Sequence, residues 1–108
     1  LMCEFEYEHL NEKHAASLQE LWGAPDVIRY TNIKKPCTFE ETAERIQCLS
    51  VYENVFAVRY ENAIIGVIGC PAVDRAQFQF GVFYQFKKQY WNRGIASRTV
   101  DWLLKHMN

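Results

Sequence analysis

Apolar and polar residues alternate one by one at the start of the chain. Cys3, Phe5 and Tyr7 interleave with Glu4, Glu6 and Glu8, the period of two of a strand with one face on a core and one in water. The period then changes. Behind Asn11, the residues Ala15, Leu18, Leu21 and Trp22 recur at helical spacing until Gly23 and Pro25, which predicts a helix from about Glu12 to Trp22 capped by Asn11. A loop with Pro25 and Pro36 follows. Thr38 to Glu41 then has the S/T-x-x-E form of a capping box, and Ala43, Ile46 and Leu49 form one stripe behind it, predicting a second helix. Val55 to Tyr60 and Ala63 to Cys70 are β-rich runs joined by Glu61 and Asn62, and asparagine accepts the positive φ of a tight hairpin turn. Phe78, Phe80, Val82, Tyr84 and Phe86 alternate with Gln77, Gln79 and Gln85 in a further strand, where Phe83 alone breaks the pattern. Ile95, Ala96, Val100, Leu103, Leu104 and Met107 return to helical spacing. The predicted order is β-α-α-β-β-β-α. No repeat, linker or low-complexity stretch interrupts it, so residues 1–108 read as a single domain.

Composition narrows the function classes. With 108 residues, 49% of them hydrophobic, the chain buries one core and is not disordered. Twelve Lys and Arg against 13 Asp and Glu give a net charge of −1, which argues against a nucleic-acid binder. No apolar run approaches the roughly 20 residues of a membrane span, and the glutamate-rich start is unlike a signal peptide, so the expected location is cytoplasmic with no membrane partner. Cys3, Cys37, Cys48 and Cys70 form no C-x-x-C pair and are expected to be buried free thiols. His9 and His14 lie five apart across a strand-to-helix boundary, a spacing that does not suit a helical metal pair; no metal is expected.

Charge is nonetheless unevenly placed. Residues 1 to 24 carry Glu4, Glu6, Glu8, Glu12 and Glu20 against Lys13, whereas the C-terminal stretch carries Lys87, Lys88, Arg93, Arg98 and Lys105 against Asp101. Within that stretch a long apolar strand gives way to a polar loop and then to a helix. Gly94 allows the backbone to approach a ligand closely, and the free N–H groups of Asn92 to Ser97 at the helix start form a seat for phosphate oxygens. Lys87, Lys88, Arg93 and Arg98 are expected to add positive charge there.

The segment YWNRGIAS resembles the acyl-CoA loop of the GNAT N-acetyltransferases, in particular the Rim-type branch that acetylates protein N-terminal amines. Its pattern is [Q/R]-x-x-G-x-[G/A]; Trp91 stands at the first position, Gly94 at the glycine and Ala96 at the last. The order of elements matches as well, and PDVIRYT resembles the family's early substrate-side region. The resemblance implies an α/β (α+β) GNAT-like fold with a mostly antiparallel sheet. It also implies acetyl-CoA as cosubstrate, held by Phe86, Trp91, Asn92, Arg93, Gly94, Ile95, Ala96 and Ser97, with Phe86 matching the position whose backbone N–H faces the thioester carbonyl. Arg29 and Tyr30 match the region that builds the acceptor pocket for a primary amine. The implied reaction is direct attack of that amine on the thioester, with the backbone N–H stabilising the oxyanion.

Two features depart from the family. Arg98 stands where Rim-type proteins commonly have Glu, and the chain stops at Asn108, directly after the cofactor helix. Family members continue into further strands, so the resemblance implies an N-terminal portion whose C-terminal strands are missing. An edge left beside the last strand would be completed by those strands or by a homodimer. No catalytic acid or base is legible. Two other readings therefore stand beside the enzyme: a non-catalytic acyl-CoA sensor, and a truncated interaction domain.

Overall fold

The computed structural model describes residues 4–74 and 79–108, and within these the side chains outside 72–74 and 79–80. Four strands, β1 (Glu6–His9), β2 (Val55–Tyr60), β3 (Ala63–Asp74) and β4 (Gln79–Phe86), form one sheet in the order β1-β2-β3-β4, and every neighbouring pair is antiparallel. Helices α1 (Ala15–Trp22) and α3 (Phe39–Leu49) cover one face, and α4 (Ile95–Met107) covers the other. The order of elements is the one the hydrophobic pattern predicts, with a one-turn helix α2 (Pro25–Ile28) added where a loop was expected. Pro25 at its first position, followed by Asp26, is a helix-start signal inside that loop. Cys3, Arg75, Gln77 and Phe78 lie outside the described residues.

Strand alternation explains the two cores. Val55 and Ala57 of β2 point to α1 and α3, while Phe56 and Val58 point to α4. Phe83 does not spoil the pattern of β4. It packs on the α1/α3 side while Val82 and Phe86 pack on the α4 side, so the strand is covered on both faces. Two bulges adjust β3. Ile65 and Gly66 together face Val58, and an extra residue enters at Cys70 and Pro71 opposite Val82. Pro71 lacks the N–H that a regular ladder needs, and a bulge is where a strand tolerates it.

Local signals hold each element. The β2–β3 turn has φ of 51° at Glu61 and 65° at Asn62, the paired left-handed conformation of a two-residue hairpin. Thr38 Oγ1 accepts the Glu41 N–H at 3.1 Å and Glu41 Oε1 accepts the Thr38 N–H at 2.9 Å, completing the predicted capping box. The first predicted helix is split into a 3-10 turn (Glu12–His14) and α1. Its cap is also a box, closed by histidine: Asn11 Oδ1 accepts the Lys13 N–H at 3.0 Å, and the Asn11 N–H donates to His14 Nδ1 at 3.2 Å.

That imidazole is buried. With Nδ1 accepting, Nε2 carries the proton and donates to Glu8 Oε1 at 2.8 Å. Glu8 Oε2 accepts from Arg59 Nε at 2.7 Å, so one carboxylate ties β1, β2 and the α1 entry together. The Arg59 and His14 hydrogen bonds lower the Glu8 pKa from 4.5 to about 2. On the opposite face Tyr7 stacks on Trp102 with ring centres 3.6 Å apart, and burial pushes the Tyr7 hydroxyl up to about 12.

The cysteines differ from expectation in one respect. Cys70 is buried, Cys37 is half-buried, and Cys48 is exposed, because it falls on the outer side of the last turn of α3. None of the three forms a disulfide among the described residues. Among the described residues no helix is long and apolar enough to cross a membrane, and no group of three or more His, Cys, Asp or Glu gathers as a metal site.

Candidate active site

β4 is an edge strand, and its open side is where chemistry is available. Along an antiparallel strand successive residues direct their N–H and C=O groups to alternate sides. The Lys87 N–H donates to Ile65 O on β3 at 2.9 Å, so the N–H and C=O of Phe86 turn to the open side. The carbonyl is taken up: Trp91 Nε1 donates to Phe86 O at 2.7 Å. The Phe86 N–H remains directed at the cavity that the residue lines. The Phe86 ring points into the α4 core beside Gly66, where any Cβ would run into the Gln85 carbonyl and that ring.

After β4 the chain makes a 3-10 turn (Lys88–Tyr90) and then reverses handedness twice, with φ of 61° at Asn92 and 74° at Gly94. Such alternation turns successive N–H groups toward one point. Gly94 is the N-cap of α4, and the Arg98 N–H donates to Gly94 O at 3.2 Å, closing the first helical turn. The N–H groups of Ile95, Ala96 and Ser97 therefore have no intrahelical partner and carry the positive end of the helix dipole. No atom lies within 4 Å of where a Gly94 Cβ would be, so the space over the turn is open.

These features line one cavity of about 530 Å3. Trp91, Asn92, Gly94, Ile95, Ala96 and Ser97 form its loop side, and Tyr84, Gln85 and Phe86 its strand side. Of the residues expected to hold the cofactor, Arg93 alone is absent from this wall; its guanidinium lies 5.5 Å from the Tyr90 ring centre. Tyr30, 85% exposed, lines the cavity from the α2 side together with Val27 and Thr31. Arg29 does not reach it and lies 5.9 Å from the Tyr30 ring centre.

The expected ring of positive charge is not free. Lys87 Nζ pairs with Glu20 Oε2 and Lys88 Nζ with Asp26 Oδ2, each at 2.8 Å, and the Lys88 bond lowers the Asp26 pKa. Arg98 lies over the Phe5 ring at 5.0 Å. Arg93 has no ion-pair partner among the described residues, and the loop itself presents backbone N–H groups. The two ion pairs have another effect, fastening α1 and α2 to the far end of β4, and only the folded chain brings those partners together.

An open strand edge thus runs through an amide-rich left-handed turn into a helix, with a largely apolar cavity beside it, on an α+β domain, and amides so placed suit an anion. A family model described as an acetyltransferase (GNAT) domain matches residues 5–108, and the chain belongs to that family. Among curated proteins none matches significantly. Solved structures share the fold. An acetyltransferase of the GNAT family from Bacillus anthracis has a TM-score of 0.81 at 21% identity, over 98% of this chain and 64% of that one. RimL, a ribosomal-protein alpha-N-acetyltransferase solved with coenzyme A, has a TM-score of 0.79 at 18% identity, over 94% and 62%. The microcin self-immunity acetyltransferase MccE, solved with acetyl-CoA and AMP, has a TM-score of 0.82 at 16% identity, over 95% and 62%. The chain thus spans less than two thirds of the length of each of these proteins.

Proposed function

We propose that this domain binds acetyl-CoA in the 530 Å3 cavity and serves acetyl transfer to a primary amine. The observation that carries the reading is the convergence of two donor sets on one space: the unpartnered amides of Ile95 to Ser97 at the loop, and the Phe86 N–H on the strand edge. Amides at a helix start suit pyrophosphate oxygens. The aromatic and aliphatic remainder of the wall suits a thin, largely apolar arm. Coenzyme A structures of RimL and MccE support the choice of cofactor.

Bound acetyl-CoA supplies an activated acetyl thioester. The Phe86 N–H, fixed by the β3–β4 ladder and by the Trp91 anchor on its own carbonyl, is the donor for the charge that develops on the thioester oxygen. A donor set in place before the reaction needs no reorganisation at the moment of transfer. The cavity wall holds no carboxylate or imidazole among its described residues. A neutral amine would attack, the C–N bond forming as the C–S bond breaks; coenzyme A would leave as its thiolate and take up, through solvent, the proton that the amine sheds. Cys37 and Cys70 take no part as acyl carriers, since burial raises both thiols above their ordinary pKa.

Calorimetric titration with acetyl-CoA tests this directly. Saturable binding by the unaltered chain, abolished in Gly94→Glu, is the expected outcome, because the new carboxylate would project into the open space over the turn. Equal binding by the variant would refute the seat.

A further inference from the structure

A second and larger cavity, of about 950 Å3, opens on the α3 side of β4 and meets the first along Tyr30, Thr31, Tyr84 and Gln85, which line both. Two side chains in its wall carry donors with no acceptor among the described residues, and both meet one buried ring. Trp22 ends α1 and is fully buried. Its indole Nε1–H can only donate, and it donates to Gln85 Oε1 at 2.6 Å. The Gln85 carboxamide is thereby fixed with its oxygen on Trp22. Its NH2 group has no acceptor among the described residues.

Arg45, from α3, lies with its guanidinium 5.5 Å from the centre of the same indole ring. It is half-buried, it lines the cavity, and among the described residues no carboxylate lies within 4 Å of it. Its charge reaches Cys37 on the same wall, where it opposes the rise that burial causes in the thiol pKa. Lys34 and Lys35 add two further positive charges to the lining. Of the two glutamates there, Glu41 is engaged by the Thr38 N–H, and Glu44 is exposed.

We propose that Arg45 and Gln85, held by Trp22, bind a carboxylate in the larger cavity, so that the acceptor is an amine carrying a carboxylate, as a free amino acid does. A carboxamide alone would take any carbonyl. The Arg45 guanidinium in the same cavity wall selects an anion, with a planar fork that matches two carboxylate oxygens. A polyamine would instead meet Arg45, Lys34 and Lys35. Gln85 directly precedes Phe86 and lines both cavities, which sets the bound end of the acceptor next to the acetyl seat. The assignment of the amine as acceptor rests on the transfer reading; the carboxylate site does not.

The indole N–H resonances of Trp22, Trp91 and Trp102 report the two cavities separately in 1H–15N spectra of the full chain. The probes are acetyl-CoA, L-phenylalanine, L-glutamate, phenylalaninamide and spermidine. An amino acid should move the Trp22 resonance saturably, with phenylalaninamide and spermidine about tenfold weaker or worse. Arg45→Gln and Gln85→Glu should each weaken that response about tenfold, and in Arg45→Gln, whose residue lines the larger cavity and not the smaller one, the Trp91 response to acetyl-CoA should persist. Gln85→Glu keeps the acceptor for Trp22 and removes the NH2 donor, so loss of fold does not explain its effect. Equal responses to acid and amide, or a Trp22 resonance that ignores both amino acids, would overturn the carboxylate site. A Trp91 resonance that ignores acetyl-CoA while Trp22 answers the amino acids would overturn the transfer reading alone.

Discussion

Replacing Glu8 by Gln separates charge from hydrogen bonding at the junction of β1, β2 and the α1 entry. Glutamine can still accept the proton of His14 Nε2, so the buried imidazole keeps a partner. Arg59 loses its counter-charge but keeps access to water, its side chain being 30% exposed. What disappears is the charge-assisted part of the cluster. The fall of the Glu8 pKa from 4.5 to about 2 sets a ceiling of about 3 kcal/mol on that part. Glu8 is 24% exposed, and solvent screening brings the expectation to about 1–2 kcal/mol. The sign with pH is definite. A carboxyl held below its ordinary value in the folded protein contributes fully above about pH 4.5, and the contribution disappears as the pH falls toward about 2. Urea unfolding followed by tryptophan fluorescence should show Glu8→Gln less stable by about 1–2 kcal/mol at pH 7, with the gap closing between pH 4.5 and pH 2. Equal stabilities at neutral pH, or a gap that stays constant through that window, would refute the account of the cluster.

At Gly94, alanine has room but not the right backbone preference, so Gly94→Ala should lose about 1–2 kcal/mol in denaturant unfolding while Gly94→Asn loses less. Both should weaken acetyl-CoA binding in calorimetry, because a side chain then enters the space over the turn; affinity that tracks stability alone would show that the turn is merely structural. Gly66→Ala forces a methyl against the Gln85 carbonyl and the Phe86 ring, and should cost about 1–3 kcal/mol by thermal unfolding. Trp91→Phe keeps the ring and removes the hydrogen bond to Phe86 O; about 1 kcal/mol of stability and an acetyl-CoA affinity roughly fivefold weaker are expected, read by unfolding and by calorimetry.

Much of this architecture was legible where the signal is local. The capping box at Thr38 and Glu41, the Glu61–Asn62 turn and the span of α4 from Ile95 each rest on residues within one or two turns of one another. The loop glycine was legible too, because a strand, a glycine and a helix in succession constrain the backbone between them. Long-range partners were not. Lys87 and Lys88 look like free charges in sequence, and only the fold brings Glu20 and Asp26 to them. The same holds for Gln85, which reads as a solvent-facing strand residue until Trp22 meets it. The β3 bulges were not visible: the expected strand stops at Cys70, before Pro71, whereas β3 runs on to Asp74 through a bulge there, and Ile65 and Gly66 carry no signal. His14 as a capping-box acceptor departs from the usual Glu or Gln and had no pattern to announce it.

The central claim is that one cofactor touches the loop amides and the strand edge together. Backbone amide shifts during an acetyl-CoA titration of the full chain test it most directly. The account predicts saturable shifts with a single affinity at Phe86 and at Ile95, Ala96 and Ser97, with the amides of β1 unmoved. Shifts at the loop that leave Phe86 unchanged, or no shift at either place, would contradict it.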